Sequence, residues 1–409
     1  MAKYFDYLLL GGGTSCGYAA AAIRELDNNG SIGIVGADSE PPYDRPPFSK
    51  GFLWNDDMVP SDAHSKDESF YPENAIAVMT GQKAVEIDRS SKSVRLESGE
   101  TLNYGKLLYA LGSVAAKLPV PGGDSVLTLR TAADSARIRV AAKTAKSAVI
   151  VGGGYIGSEL CAALLKLGLS VVLLERNERM LGAVPSVVAS VAVQHELESK
   201  GAEICIAEEV KSIEDGTVIT VSGRMIPADL IIAGVGAIPQ TQLAKEAGLE
   251  IGVLGVRANS ELRTNDNSIW VAGDIAEYED TILGKPFHAE HHLHAKWSGA
   301  HAGKAMAGDS EKYRKVPYFY SDIGDLSLYL RGYPMNAAHS YILGNTQTPE
   351  FTELFVFSDG RLAGMVDVRR DWKAQDPISD HVEKLMLEGK NVGDRVAEMS
   401  QPNFDVLSL

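Results

Sequence analysis

The sequence predicts an α/β fold with two Rossmann-like units and a third, C-terminal α+β domain. Two glycine-rich turns, at residues 11–17 and 152–157, each follow a run of β-favouring residues and precede a helical pattern. Alternating strand and helix signals of this kind are typical of parallel sheets. From Tyr313 onward the pattern changes to short strands, aromatic clusters and a final amphipathic helix near residues 378–388, which predicts the third domain.

The first unit begins near the N-terminus, with a strand at residues 7–10 and an alanine-rich helix at 18–26. Gly11 and Gly13 suit the tight turn between them, but Cys16 takes the third glycine position. A small side chain there still lets the helix pack closely on the strand. We therefore interpret Cys16 as a buried residue and not as a reactive thiol.

The acid that would bind a ribose is displaced in this unit. Gly36 and Ala37 follow its second strand, and Asp38 is the first carboxylate that the chain then offers. We predict Asp38 as the ribose acid, with Glu40 as the reserve.

The second unit, residues 148–175, carries the stronger signal. Gly152 permits the tight turn, Gly154 lets a pyrophosphate approach the backbone, and Gly157 brings helix and strand together. The free N–H groups of the helix N-terminus would receive the phosphates. Glu175 ends the next strand, where a carboxylate would accept both hydroxyls of an adenosine ribose. These features predict a dinucleotide site.

Two such turns suggest two nucleotides, one of them held permanently. Between the turns, three prolines within residues 42–50 restrict the backbone and would hold Arg45 and Lys50 in defined positions beyond the first phosphate site. A surface turn with solvated charges is the alternative. We favour a functional role for this segment. Restricting its backbone gives no benefit unless the segment holds particular side chains in place.

Turn residues, prolines and glycines in the rest of the chain predict the domain limits. Residues 77–108 alternate around polar turns, as in an antiparallel excursion inserted into the first unit. Prolines and glycines near residues 119–123 mark the crossing to a second domain. The predicted domains are a discontinuous first nucleotide-binding domain at 1–113 and 240–310, a second nucleotide-binding domain at 114–239, and a C-terminal α+β domain at 311–409.

Composition excludes several functional classes. The net charge of −15 argues against nucleic acid or an anionic membrane as the main partner. No apolar run is long enough to span a bilayer, and the N-terminus enters a strand at once, which predicts no signal peptide and a cytoplasmic location. The three cysteines lie far apart without a C-x-x-C motif, so a redox disulfide is not expected.

A histidine-rich run at residues 288–294 permits a metal site by residue type alone. Ligands must converge on one face, however, and the adjacent His291 and His292 point apart on a helix. We therefore predict no metal.

Together, the motifs resemble the FAD-containing pyridine nucleotide-disulfide oxidoreductase superfamily, in the branch without a redox disulfide. That branch holds the ferredoxin and rubredoxin reductases, monodehydroascorbate reductase and apoptosis-inducing factor. The first glycine turn is similar to the FAD pyrophosphate site of the family, and GGGYIGSEL to its NADH site. PYDRPPFSK, the Gly273-Asp274 pair, AEHHLHAKWSGAHAGKAMAG and PYFYSDIG also match family segments, in the correct order.

The resemblance implies roles for particular residues. Lys50 resembles the lysine that reaches flavin N5, Glu159 the acid that pairs with it, and Tyr320 stands where many relatives carry tryptophan. The implied FAD residues are Gly11, Gly13, Thr14, Ser15, Asp38, Arg45, Lys50, Ala84, Ala110, Gly112, Arg130, Gly273, Asp274, His291, His292 and Tyr320. The implied NADH residues are Gly152, Gly154, Tyr155, Ile156, Gly157, Glu159, Glu175 and Gly236.

The function implied is hydride transfer from NADH to FAD, followed by electron transfer to a ferredoxin- or rubredoxin-type carrier. Two alternatives are an NADH oxidase or dehydrogenase that uses oxygen, a quinone or a small molecule, and a slow, redox-sensing protein like apoptosis-inducing factor. Glu175 would repel the 2′-phosphate of NADPH, although the adjacent Arg176 could hold that phosphate. We expect a monomer or a homodimer.

Docking of an acidic carrier would need a local basic patch. The candidate residues, all in the third domain, are Arg331, Arg361, Arg369, Arg370 and Lys373. A solvated charged face is the alternative interpretation.

Overall fold

The computed structural model describes residues 3–370, 377–401 and 404–409. The described residues fall into two compact units. The first is drawn from Met1–Pro47, Asp57–Val114 and Ala237–Lys315, and the second from Phe48–Asp56, Ala115–Gly236 and Val316–Leu409. The second unit contains strands of both the predicted second and the predicted third domain. The three-domain limits given above stay a prediction.

The strands in chain order are β1 (Lys3–Leu10), β2 (Ile32–Val35), β3 (Ile76–Met79), β4 (Ala84–Asp88), β5 (Ser93–Leu96), β6 (Thr101–Tyr109), β7 (Ser113–Ala115), β8 (Leu127–Thr128), β9 (Ser147–Val151), β10 (Ser170–Glu175), β11 (Glu203–Ile206), β12 (Val210–Glu214), β13 (Thr217–Thr220), β14 (Met225–Pro227), β15 (Leu230–Ala233), β16 (Ala237–Pro239), β17 (Val256–Ala258), β18 (Ile269–Val271), β19 (Ala276–Asp280), β20 (Lys285–His288), β21 (Tyr318–Ile323), β22 (Leu326–Gly332), β23 (His339–Asn345), β24 (Glu350–Val356) and β25 (Leu362–Arg369). The α-helices are α1 (Thr14–Leu26), α2 (Gly51–Trp54), α3 (Phe70–Glu73), α4 (Ala132–Ala142), α5 (Tyr155–Lys166), α6 (Val187–Ser199), α7 (Gln242–Glu246), α8 (His292–Ala307), α9 (Pro377–Glu388) and α10 (Val396–Met399).

The first unit is built on a sheet with a parallel core in the order β3-β2-β1-β6, with β18 also paired to β6. Leu8, Leu9 and Leu10 of β1 are fully buried, as expected for a strand that is covered on both faces. The predicted antiparallel excursion is present, because β4, β5 and β6 pair antiparallel. The carboxyl ends of the parallel strands therefore share one edge, where the glycine turns follow β1, β6 and β18.

Helices α1 and α8 approach each other closely beside that edge. A Cβ on Gly299 would lie 2.4 Å from the carbonyl oxygen of Ser15, and a Cβ on Gly303 would lie 2.4 Å from that of Ala19. Because only glycine tolerates this approach, the spacing of four between the two glycines sets the helix contact. Both helices then begin at the same edge of the sheet.

The second unit contains a parallel sheet in the order β11-β10-β9-β15-β8 and an antiparallel sheet in the order β21-β22-β25-β24-β23. One hydrophobic core joins them, since Ile150 and Leu164 belong to the same cluster of buried residues as Phe355 and Val366. A small antiparallel sheet of β12, β13 and β14 completes this unit.

The segment Phe48–Asp56 belongs to the second unit and is held there at several points. The Ser135 hydroxyl donates to the Phe48 carbonyl oxygen at 2.6 Å, and Arg139 donates to the carbonyl oxygen of Asn55 at 2.7 Å. Leu53 is buried in the shared core. Lys50 is thus anchored to α4 and α5 through its own chain segment.

Several sequence predictions of single elements are confirmed. The first helix is present but begins at Thr14, four residues earlier than predicted. Helix α8 begins at His292, and α9 covers the predicted final helix. In the part of the chain that the structure describes, no helix combines the length and the apolar character needed to cross a bilayer.

Glu196 of α6 links the parallel sheet layer to the β21–β22 hairpin. It is buried and accepts from the backbone N–H of Asp325 at 2.9 Å and from Arg370 Nη1 at 3.1 Å. Lys200 Nζ lies 3.3 Å from the same carboxylate. The carboxylate is therefore fully partnered although it is out of water.

We predict that Glu196→Ala lowers the free energy of unfolding by about 2 kcal/mol, because charge-assisted hydrogen bonds of a buried carboxylate are lost while the cations can turn to solvent. The measurement is thermal unfolding of the FAD-loaded protein. Glu198→Ala is the matched control, since Glu198 lies on the same helix and is exposed. Equal melting temperatures for the two variants would contradict the prediction.

Candidate functional site: two dinucleotide turns

A cavity lies at the carboxyl edge of the sheet in the first unit. Eight of the residues predicted for FAD line it: Gly13, Thr14, Ser15, Arg45, Ala110, Gly112, Gly273 and Asp274. The other lining residues are Gly12, Leu111, Ala272 and Ala295. The predicted residues of this unit outside the lining are Gly11, Asp38, Ala84, His291 and His292, and those in the second unit are Lys50, Arg130 and Tyr320. Their contacts with FAD stay predictions.

Glycine is required at two positions of this edge. Gly11 has a φ of +136°, and a Cβ there would lie 2.2 Å from the carbonyl oxygen of Ala110. Gly273 has a φ of +76°, and its Cβ would lie 2.5 Å from Ser15 Oγ. The backbone turns after β1, β6 and β18 therefore come closer together than any side chain would allow.

The edge offers hydrogen-bond donors suited to an anion. Helix α1 has Gly13 as its N-cap and α8 has His291, and neither residue caps its helix through a side chain. The first N–H groups of each helix are thus not satisfied by a cap, and both helix dipoles present their positive ends. Arg45 adds a cation, since its Nη1 lies 3.1 Å from where a Cβ of Gly13 would be. These residues fit a pyrophosphate.

Both candidate ribose acids have partners within the protein. The buried Tyr43 donates its hydroxyl to Asp38 Oδ2 at 2.6 Å, and His64 Nε2 lies 3.0 Å from Glu40 Oε2. Asp38 retains its second oxygen for a ribose. Its role as the ribose acid stays a prediction.

Burial lowers the pKa of the three histidines at the start of α8. Burial lowers the pKa of His291 to about 4 and that of His294 to about 3. Burial also lowers the pKa of His292, although the nearby Asp44 carboxylate opposes the shift. At these three positions the imidazolium form is disfavoured, and the helix ends and Arg45 supply positive potential there. Within the described ranges, no three His, Cys, Asp or Glu side chains are grouped closely enough to hold a metal ion.

The second glycine turn lies between β9 and α5. Gly152 has a φ of +108° and a Cβ there would lie 2.4 Å from the carbonyl oxygen of Gly234, while a Cβ on Gly157 would lie 1.9 Å from that of Gly152. A Cβ on Gly154, the N-cap of α5, would meet no atom within 4 Å. The turn is thus closed on its protein side and open at the helix N-terminus, which fits a second pyrophosphate.

Glu175 is buried beside this turn, and hydrogen bonds hold both of its carboxylate oxygens in place. Its Oε2 accepts from the backbone N–H of Gly153 at 2.7 Å. Its Oε1 accepts from the backbone N–H of Asn177 at 2.7 Å and from the Asn177 side chain at 2.6 Å. The sequence analysis did not identify Gly153 and Asn177 as hydrogen-bond partners of Glu175. Their closeness in sequence to a motif glycine and to the motif acid was the available signal.

The structure brings Lys50 and Glu159 together in the second unit. Lys50 Nζ lies 2.7 Å from Glu159 Oε1, and Glu159 is 5% exposed. The Tyr320 ring centroid is 6.0 Å from the same ammonium group. Sequence analysis missed the hydroxyls of Ser49 and Ser321, which both donate to Glu159. The position of Ser49 next to Lys50 in the sequence could have indicated it as a partner of Glu159. Ser321 lies far from both residues in the sequence, so no local pattern indicated it.

The four described members of the predicted basic patch are each paired with a carboxylate, and their role in docking a carrier stays a prediction. Arg331 is buried and pairs with Glu383, Arg361 pairs with Asp359, Arg369 pairs with Asp367, and Arg370 pairs with Glu196. Each arginine is thus compensated by a neighbouring carboxylate. Lys373 lies outside the described residues.

Two glycine turns, each at the end of a parallel strand and before a helix without a side-chain cap, are typical of proteins that bind two dinucleotides and pass electrons between them. The chain belongs to the pyridine nucleotide-disulphide oxidoreductase family, whose profile matches residues 5–302. The resemblance and the α/β fold class predicted from sequence are confirmed.

Two relatives and one solved structure are similar over most of the chain. The ferredoxin–NAD(+) reductase component of the anthranilate 1,2-dioxygenase system of Burkholderia cepacia is 30% identical over 89% of this chain and 91% of its own. The rubredoxin-NAD(+) reductase of Pseudomonas putida is 32% identical over 87% of this chain and 93% of its own. The ferredoxin reductase for the CYP199A2 system from Rhodopseudomonas palustris superposes with a TM-score of 0.89 at 26% identity, covering 98% of this chain and 99% of its own.

The chain is therefore an oxidoreductase of the ferredoxin reductase type, and family membership implies FAD and NAD(H) as its cofactors. The residues described above fit both groups, since α1 and α5 each follow a glycine turn and begin without a side-chain cap, as a phosphate-binding helix N-terminus does.

We predict that Arg45→Gln weakens FAD binding about 10- to 100-fold, because a charge-assisted contact to the pyrophosphate is lost. The measurement is fluorescence titration of the FAD-free protein with FAD. Arg95→Gln is the control, since Arg95 is exposed on β5 of the same unit and pairs with Glu86. An unchanged affinity in Arg45→Gln would show that this guanidinium does not bind the cofactor.

Proposed function

We propose that the protein transfers electrons from NADH, through bound FAD, to a ferredoxin- or rubredoxin-type carrier. The observation that supports this most directly is that α5 carries both the second phosphate turn, at its N-cap Gly154, and the buried Glu159 that pairs with Lys50. A nucleotide bound at that turn and the ion pair are therefore held by one rigid helix. The names of the similar reductases support the choice of carrier.

The cysteines support an electron route that involves no thiol relay. All three cysteines are free, and Cys16 and Cys161 are buried. Burial raises the pKa of Cys16 well above its usual range and that of Cys161 to about 12, so neither is a thiolate at neutral pH. Electrons would therefore leave the flavin directly for the external carrier.

Each of the protein's own groups has a limited task in this scheme. The FAD, when bound, supplies acceptance of a hydride and stepwise release of single electrons. Arg45 and the N-terminus of α1 would bind the FAD phosphates, and the N-terminus of α5 would bind those of NADH. The positive end of the α8 dipole would stabilise the negative charge of the reduced flavin. Lys50, held by Glu159, would supply a fixed positive charge to the reaction, which lowers the energy of negative charge that develops on reduction.

The carrier assignment is tested by NADH-dependent reduction of a ferredoxin and of a rubredoxin, compared with oxygen and with a soluble quinone. We expect kcat/KM for at least one protein carrier to exceed that for oxygen and quinone by ~100-fold, since a docked carrier receives electrons at short range while small acceptors meet the flavin by chance. Faster turnover with oxygen or quinone would instead identify an oxidase or dehydrogenase.

We further propose that NADH is preferred over NADPH. Glu175 is buried and both its oxygens are engaged by Gly153 and Asn177, so the carboxylate cannot swing away from a 2′-phosphate. Arg176 is exposed beside it and is the competing residue that could bind the phosphate.

The expected ratio of kcat/KM for NADH to that for NADPH is at least ~10, and Glu175→Gln should reduce this ratio because the repelling charge is removed while acceptor oxygen remains. Arg176→Ala is the companion variant. A wild-type preference for NADPH that Arg176→Ala abolishes would show that the arginine, and not the acid, determines the cofactor.

A further inference from the structure

The Glu159 carboxylate receives hydrogen bonds from three separate parts of the chain. Lys50 Nζ and Ser321 Oγ both contact Oε1, at 2.7 Å and 2.6 Å. Ser49 Oγ donates to Oε2. Ser49 and Lys50 belong to the 48–56 segment, Glu159 to α5 and Ser321 to β21, so the carboxylate joins three elements of the second unit.

The serine hydroxyls matter because the Glu159 carboxylate that they contact is buried. A carboxylate that is 5% exposed has almost no water to solvate it, so its charge depends on protein donors. The two serine hydroxyls satisfy one acceptor position on each oxygen without using a cation. The lysine is then an additional partner and not the sole support of the buried charge.

We propose that Ser49 and Ser321 are positioning residues for hydride transfer, which hold the Glu159 carboxylate oriented so that Lys50 keeps its working position. This inference rests on the proposed function, in which Lys50 acts during flavin reduction. Ser321 and Lys50 share Oε1, so loss of the Ser321 hydroxyl would leave the ammonium group as the sole donor to that oxygen and draw it closer to the carboxylate. The lysine would then be displaced although the ion pair still formed.

A purely structural role is the competing explanation, in which the serines only tie β21 and the 48–56 segment to α5. Nearby side-chain packing already holds α5 and β21 together, since the ring centroids of Tyr155 on α5 and Phe319 on β21 are 4.2 Å apart. Leu53 is likewise buried in the core of this unit. The hydroxyls are therefore not needed to keep these elements together.

The test uses Ser321→Ala in the FAD-loaded protein, mixed anaerobically with NADH in a stopped-flow instrument. We expect the rate of flavin bleaching at saturating NADH to fall about 10-fold, with the half-saturating NADH concentration changed less than twofold, because positioning for the reaction is lost and not nucleotide binding. Ser321→Thr, which keeps a hydroxyl, should restore most of the rate. The absorption spectrum and midpoint potential of the bound flavin, measured without NADH, should shift in Ser321→Ala and return in Ser321→Thr.

Ser327→Ala is the matched control, since Ser327 lies in the same β21–β22 hairpin and donates to Asp322 at 2.8 Å. It should leave rate, spectrum and potential unchanged. The decisive comparison combines Ser321→Ala with Lys50→Ala. If the serine acts through the lysine, the double variant should be no slower than Lys50→Ala alone.

Two results would overturn the inference. One is a Ser321→Ala protein with wild-type rate and spectrum while Lys50→Ala is slow, which would leave the proposed function standing. The other is an equal loss from Ser321→Ala with and without Lys50, which would assign the serine a structural role. A wild-type rate in Lys50→Ala itself would count against the role of Lys50 in the proposed function, and is thereby a separate failure.

Discussion

The buried carboxylate of Glu159 is the constraint on which the position of Lys50 depends. A charge with almost no access to water must be met by donors, and here the donors come from the 48–56 segment and from β21. Helix α5, which bears this carboxylate, also begins at the second phosphate turn. Nucleotide binding and the lysine ion pair are thus attached to the same rigid element, and neither can be repositioned without the other.

In the first unit the corresponding constraint is steric. Gly11 and Gly273 each lie where a Cβ would collide with a neighbouring turn, and Gly299 and Gly303 allow α8 to touch α1. The result is an edge at which three backbone turns and two helix N-termini converge. Convergent N–H groups and a nearby guanidinium form a strong site for a pyrophosphate without any buried cation that would need its own counter-charge.

The electrostatics of the two units differ accordingly. The histidines at the start of α8 have pKa values that burial lowers, so permanent dipoles and one arginine supply the positive field beside them. In the second unit a full positive charge, Lys50, is held beside a full negative one. The arginines expected to attract an acidic carrier are paired with carboxylates, so charge alone at those positions does not define a docking surface.

The sequence by itself indicated both glycine turns, the strands and helices around them and the final helix, because these depend on neighbouring residues and on steric rules that act over a few positions. It also indicated Glu175 and, through the family resemblance, the pairing of Lys50 with Glu159. Only the tertiary structure decided that Phe48–Asp56 belongs with the second unit, that Ser321 reaches Glu159, and that Arg331 is buried and paired. These facts depend on contacts between residues up to 162 positions apart, for which a local pattern carries no signal.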